Sequence, residues 1–173
     1  MNNNTLQVMT SSKNEHWNTP LVILDPIKQY LGPILLDPCS NAGSLVGATT
    51  EYFGPDAGGV DGLAQSWQFN GVVYVNPPYG RKIAPWIRKA AAEGKEAKDK
   101  ANNTEIILLG PARTDTKWFQ KVVLPTADAV ILWEGRLKFV GATAPAVFPS
   151  FLAYWGHRPT KFKIAYVGKG WAL

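Results

Sequence analysis

Four short apolar runs in this chain stop at a turn carrying proline or glycine. Pro33-Ile34-Leu35-Leu36 is stopped by Asp37-Pro38, and Val72-Val73-Tyr74-Val75 by Asn76-Pro77-Pro78. Glu105-Ile106-Ile107-Leu108-Leu109 meets Gly110-Pro111, and Ala129-Val130-Ile131-Leu132-Trp133 meets Glu134-Gly135. Runs this short with almost no polar alternation are strands covered on both faces, the condition of a parallel sheet. Pro85–Lys98 lies between the second and third runs and is helical in composition, with its proline near the start. Thr116–Leu124 is a second helix candidate, between the third and fourth. Strands alternating with helices predict a doubly wound α/β fold with a mainly parallel sheet. The end of the chain reads differently. Pro149–Gly156 and Phe162–Gly168 follow each other with no helical segment between them, which predicts an antiparallel hairpin at the sheet edge. Near the start, Thr19 is a candidate N-cap with Pro20 at the first helical position, and Pro26 would shorten or kink that helix. Residues 1–15 are polar and aperiodic and are expected to form a disordered arm, leaving 16–173 as one domain.

Composition narrows the chemistry. One cysteine, Cys39, excludes an intrachain disulfide and a multi-cysteine zinc site. Two histidines, His16 and His157, do not make a histidine-rich metal centre, so no metal is expected. No run reaches the roughly 18 apolar residues of a membrane helix. The opening residues lack a basic patch followed by an apolar stretch, so neither membrane nor secretion is expected. The 18 Lys and Arg against 13 Asp and Glu leave a net charge of +5. That excess suits a polyanionic partner, although many soluble proteins carry as much.

The residues with the clearest chemical meaning are Asn76-Pro77-Pro78-Tyr79. They follow a buried strand directly, and open α/β sheets bind ligands at the carboxyl ends of strands. Two prolines stiffen the chain, because each fixes its own φ and restricts the residue before it. An asparagine ahead of that corner aims an amide oxygen and a proline carbonyl at one point, and both are acceptors. Tyr79 adds an aromatic face. Two acceptors beside a stacking face suit a planar aromatic amine. The N6 of adenine is a poor nucleophile because its lone pair is delocalised into the ring. Held through both N–H groups, the nitrogen can pyramidalise and attack an electrophilic methyl group. Stacking of Tyr79 on an extruded base would contribute roughly 1–3 kcal/mol and offset part of the unstacking cost. The plainer reading of the tetrapeptide is a strand-terminating turn. A second polar stop, Asp37-Pro38-Cys39-Ser40-Asn41, favours function; its Asp could meet an ammonium group or cap the next helix.

In this order, Trp17-x-Thr19-Pro20, Asp37-Pro38-Cys39-Ser40, Asp61-Gly62-Leu63 with Trp67, and Val75-Asn76-Pro77-Pro78-Tyr79-Gly80 resemble the phage-encoded DNA N-6-adenine-methyltransferases of the Dam family. Pro111-Ala112-Arg113-Thr114-Asp115-Thr116-x-Trp118-Phe119 and Gly135-Arg136-Leu137-Lys138-Phe139 resemble it too. The likeness spans about residues 15 to 155 and implies a Rossmann-like, S-adenosylmethionine-dependent methyltransferase acting on adenine N6 in DNA. It also implies a bacterial host cytoplasm as the compartment. By the resemblance, Asp37, Pro38, Cys39 and Ser40 line the methionine end of the cofactor, joined by Trp17, Thr19 and Pro20. Asp61 would sit near the cofactor adenine, and Asn76, Pro77, Pro78 and Tyr79 would hold the target base, with Asn76 touching both. The chain departs from the broader superfamily in three places. The glycine-rich loop reads DPCSNAGS, with only Gly43. No marked strand precedes an acid for the ribose, for which Glu51 and Asp56 are candidates. The tetrapeptide begins with Asn where many relatives have Asp.

Several cations follow the apolar runs and are candidate DNA phosphate contacts: Arg81 and Lys82 after the second, Arg113 after the third, Arg136 and Lys138 after the fourth. Such contacts give affinity without sequence choice. Arg88 and Lys89 read equally as a solvated helix face. Trp86 and Trp118 read as core, Cys39 as a small loop residue rather than a nucleophile, and His157 as a surface residue. Two other functions share these features. Glutamine methyltransferases that modify release factors also carry the NPPY tetrapeptide, and a nucleic-acid-binding module could keep the fold without catalysis. Neither the recognised DNA sequence nor the oligomeric state is legible in the chain.

Overall fold

A computed structural model describes residues 17–173, so the arm expected over residues 1–15 lies outside the described residues. The elements follow in order as α1 (Leu21–Tyr30), β1 (Ile34–Asp37), β2 (Thr50–Glu51), β3 (Val72–Val75), α2 (Ile83–Asp99) and β4 (Glu105–Pro111). A π-helical segment, Phe119–Val123, runs into α3 (Leu124–Thr126). Then come β5 (Ala129–Trp133), β6 (Ser150–Trp155), α4 (Pro159–Ala165) and β7 (Gly170–Ala172). All four apolar runs are strands, and the two helix candidates between them are helical.

Seven strands form one sheet in the order β2-β1-β3-β4-β6-β5-β7. β2, β1, β3 and β4 are parallel, with Tyr74 opposite Ile107 and Val75 opposite Leu108. The fold is therefore mixed α/β, parallel in its core and antiparallel toward the C-terminus, consistent with a Rossmann-like methyltransferase. β3, β4 and β6 are buried along their whole length, which explains why they carry no polar alternation. Alternate residues feed two cores. Tyr74, Ile107, Leu109 and Tyr154 face Ile23, Leu24 and Ile27 of α1 and Phe162 of α4. Val73, Val75, Ile106, Leu108 and Trp155 face Trp86, Ile87 and Ala90 of α2 and Phe119. Trp86 is thus core, while Trp118 is half-buried and stacks on Phe151.

The C-terminal end corrects the expected hairpin. β6 is antiparallel, as its neighbourhood in the sequence suggested, but it inserts between β4 and β5 rather than at the edge. Phe162–Gly168 is not its partner strand: residues 159–165 form α4, and the edge strand is β7, paired with β5. Pro159 stands at the first position of α4, where its missing N–H costs nothing, and Phe162 and Tyr166 sit one helical turn apart on its buried face. Thr19 is not the N-cap of α1 either. Pro20 occupies that position without a side-chain cap, and Thr19 turns inward. Pro26 lies inside α1 without ending it.

The edge of the sheet away from the strand carboxyl ends is pinned by Glu105, which is wholly buried. Arg158 Nε donates to both of its carboxylate oxygens, at 3.1 and 3.0 Å, and Nη2 donates to Oε2. Tyr154 donates its hydroxyl to Oε1, while Arg158 Nη2 also donates to the Leu31 carbonyl at 2.7 Å. The end of α1, the start of β4 and the start of α4 are thereby fastened together. His157 is exposed, with Nδ1 3.8 Å from Glu105. Replacing Arg158 with methionine would leave a buried carboxylate without its cation, at a cost of about 3–5 kcal/mol. Urea denaturation should show that loss, and an unchanged midpoint would refute the pin.

Candidate active site

β1 connects to β2 on one side, whereas its other neighbour is β3. The chain thus departs in opposite directions at this pair, and such a divergence opens a crevice beyond the strand carboxyl ends. A cavity of about 430 Å³ lies there. Its lining includes Trp17, Thr19, Asp37, Pro38, Cys39, Ser40 and Asp61, together with Asn76, Pro77 and Pro78. The two polar stops singled out in the sequence therefore share one cleft. Pro20 and Tyr79 do not line it: Pro20 leads into α1, and Tyr79 turns to the other side of the corner.

Asp37 ends β1 and is 3% exposed. Its Oδ1 accepts a hydrogen bond from the Cys39 N–H at 3.0 Å. Burial pushes its carboxyl up from 3.8 to about 7, further raised by nearby Glu51 and partly opposed by the Cys39, Ser40 and Ser44 hydrogen bonds. Burial, helped by Asp37, also raises the Cys39 thiol, so this cysteine is not an activated nucleophile. Asp56 and Asp61 line the cleft as well, so carboxylates reach it from the end of β1 and from the β2–β3 connection; Lys82 also lines it.

The missing glycine-rich loop has a local replacement. A Cβ added at Gly62 would lie 1.9 Å from the Pro38 carbonyl oxygen, so only glycine lets the loop after Asp61 close onto the loop after β1. Glu51 ends β2 and accepts a hydrogen bond from Ser40 Oγ at 3.2 Å, which places an acid at the end of the second strand. β2 is only Thr50–Glu51, too short to leave a pattern in the sequence. Tyr52 and Phe53, which line the cleft directly after it, were missed for the same reason, whereas Asp56 in the turn that follows was a candidate and lines the cleft too.

Asn76 is held from one side. Its Nδ2 donates to the Trp17 carbonyl at 2.5 Å and to Thr19 Oγ1 at 3.2 Å. A carbonyl can only accept, so the amide nitrogen must face Trp17 and the oxygen must face away. Tyr79 donates its hydroxyl to that oxygen at 2.9 Å. The Tyr79 ring is not an open platform: it meets Phe148 edge-on at 5.4 Å and Phe139 at 6.4 Å, and burial holds its hydroxyl protonated. Trp17 closes the same cluster, 5.1 Å from Phe139 and 5.8 Å from Phe148. Phe148 was missed because it sits in a loop without periodicity, more than 70 residues along the chain from Asn76.

The candidate cations all follow strands at the carboxyl-end edge of the sheet, and Lys82 also lines the cleft. Arg81 and Lys82 follow β3, Arg113 follows β4, and Arg136 and Lys138 follow β5, which runs in the same direction as β4. All five are exposed. Among the described residues no group of three or more His, Cys, Asp or Glu is arranged to hold a metal ion, and no helix is long and apolar enough to cross a membrane.

The protonation of Asp37 gives a test of stability. Between pH 3.8 and about 7 the folded protein holds a proton that the unfolded chain has lost. Stability therefore falls as pH rises through that window and stays lower above it. Asp37→Asn should remove the penalty, stabilising the protein by up to about 4 kcal/mol above neutrality and by little below about pH 4. Urea denaturation of both proteins across that range checks this, and an advantage independent of pH would contradict it.

No curated protein matches this chain. The DNA N-6-adenine-methyltransferase (Dam) family matches residues 7–147, which takes in the loop after β1, the Asn76–Tyr79 corner and every strand but β6 and β7. The match covers most of the chain, and the chain belongs to the DNA N-6-adenine-methyltransferase (Dam) family.

Proposed function

We propose that this protein transfers a methyl group from S-adenosylmethionine to N6 of adenine in DNA. The observation that carries the reading is that Asp37 and the Asn76–Pro78 corner line one cleft at the point where the sheet connections diverge. The cleft suits the cofactor on three counts. Its volume lies within the range of cofactor sites, roughly 300–1,000 Å³. Its carboxylates at Asp37, Asp56 and Asp61 match a ligand that carries an ammonium, a sulfonium and ribose hydroxyls. Tyr52, Phe53 and Trp86 offer aromatic surface for a purine. S-adenosylmethionine supplies a methyl carbon made electrophilic by a positively charged sulfur.

The protein's own part is to hold the amine. Asn76 Oδ1 and the Pro77 carbonyl accept its two N–H groups and stabilise the positive charge that grows on nitrogen as its lone pair leaves the ring. The corner is rigid, so the acceptors need little reorganisation. Asp37, Ser40, Glu51 and Asp61 bind and orient the cofactor, and Trp17 and Thr19 close the cleft beside it. Tyr79 must first leave Asn76, because its hydroxyl occupies the oxygen that the amine needs. It then stacks on the extruded base, with Phe148 and Phe139 lining the space it vacates. Arg81, Lys82, Arg113, Arg136 and Lys138 hold phosphates around the cleft. The acceptor pair would also suit a side-chain amide, but a cationic rim around the corner favours DNA over a protein substrate.

Tritiated methyl transfer to unmethylated DNA, with a glutamine-bearing protein as the competing substrate, tests the assignment. Asn76→Ala should lower kcat at least about a hundredfold, while calorimetry finds cofactor affinity within a few fold of the parent. An active variant would overturn the role of the corner. Tyr79→Phe should keep activity within about threefold, since it frees the Asn76 oxygen and retains the ring. Tyr79→Ala should lose about tenfold or more through lost stacking. Equal losses in the two Tyr79 variants would argue against stacking.

A further inference from the structure

Trp17-Asn18-Thr19 lines the cleft as a strap, and each residue is fastened by hydrogen bonds. The Trp17 carbonyl and Thr19 Oγ1 receive the two hydrogens of Asn76 Nδ2. Thr19 is buried, and its hydroxyl lies 2.9 Å from that of Tyr74, which is buried on β3. Whichever hydroxyl donates in that pair, Thr19 keeps a lone pair for the amide. Asn18 fixes the strap at both ends. Its carbonyl accepts the Val140 N–H at 2.9 Å, and its side chain takes a hydrogen bond from Asn41 Nδ2 at 2.7 Å and gives one to the Gly43 carbonyl at 2.9 Å. The loop after β1, the corner after β3 and the segment after β5 are thus joined through three residues.

We propose that Thr19 and the Trp17 carbonyl are positioning groups that hold Asn76 by its nitrogen, present only its oxygen to the target amine, and make this corner accept asparagine and reject aspartate. This rests on the methyltransferase reading for what the oxygen receives. An aspartate at this position would set a second oxygen against the Trp17 carbonyl, acceptor against acceptor with no proton between them. Ionised, it would turn away or push the strap aside. Protonated, it would donate to Trp17 as the amide does. The titratable groups nearest the position are Tyr79 on its own loop, Tyr74 on β3, and Asp37 and Cys39 from the loop after β1, with Lys82 farther along the cleft. Tyr79, Tyr74 and Cys39 are uncharged, so the protonated form is favoured there by the Trp17 carbonyl, which only a protonated carboxyl can satisfy. The choice of asparagine at this corner then has a local cause. The acceptor behind the amide, not the substrate before it, selects the residue.

The experiment compares the full-length parent with Thr19→Ser, Thr19→Val and Asn76→Asp in steady-state methyl transfer to unmethylated DNA. Thr19→Val should lower kcat about tenfold, with KM for DNA and cofactor affinity within about threefold, and Thr19→Ser should recover to within about twofold. Asn76→Asp should be about a hundredfold slower near pH 8.5, and its rate relative to the parent should rise about tenfold as pH is lowered to about 6. Side-chain amide NMR gives a readout free of catalysis. The Asn76 NH₂ pair, identified by its loss in Asn76→Asp, should be shifted and slow to exchange in the parent, and faster in Thr19→Val. A parent inert toward DNA would sink the functional reading, and the NMR readout would then decide the strap alone. Freely exchanging Asn76 protons, parental kcat in Thr19→Val, or an Asn76→Asp rate ratio that does not vary with pH would overturn the proposal.

Discussion

The pairing of β1 with β3 is the constraint from which the rest follows. Because β2 lies on one side of β1 and β3 on the other, the connections diverge there, and no helix can fill the gap beyond the strand ends. Asp37 and Asn76 are the residues at which those two strands stop. A one-residue slip of either strand would turn its last side chains to the opposite face. That register is held by what lies on both faces. Tyr74 packs toward α1 and Val75 toward α2, so neither strand can shift without exposing one core or burying the wrong residue in the other.

Within that gap the site is assembled from acceptors and acids, with the cations outside. Asp37 stays protonated to about neutrality because it is buried beside Glu51 with no cation bonded to it. A ligand bringing positive charge would supply the missing partner and favour ionisation, so its binding and the release of a proton are linked. The opposite arrangement holds at the far edge of the sheet, where buried Glu105 has its own arginine and serves the fold alone. Among the described residues, buried Glu93 and Glu105 each have a cation bonded to them, whereas no ion pair is seen for Asp37 in the cleft.

Tyr79 donates its hydroxyl to the oxygen of Asn76 and shelters its ring among Phe139 and Phe148. Satisfying a polar group in this way avoids an unpaired acceptor. Much of this was legible in the residues. A buried strand ending in Asn76-Pro77-Pro78-Tyr79, another ending in Asp37-Pro38, and cations after three successive runs all stand where their order in the chain implied. The short β2 that carries Glu51 (itself a candidate acid), the aromatic Phe148 and the inward turn of Thr19 were not legible. A two-residue strand has no period, and the other two depend on neighbours far along the chain.

What the sequence determined by itself was local. Apolar runs without alternation required strands covered on both faces, prolines fixed the corners after them, and the polar residues at those corners had to lie at one edge because the strands are parallel. Tertiary structure decided the order of the strands and the direction in which single groups point. β6 reads as a strand in the chain, yet only packing seats it between β4 and β5, since hydrogen bonding to two neighbours satisfies both of its edges. The segment after it reads as a partner strand in the chain, yet it forms α4, which packs Phe162 and Tyr166 into the core with Tyr154 and Tyr74. The amide of Asn76 could point either way until a carbonyl 59 residues earlier in the chain was laid against it.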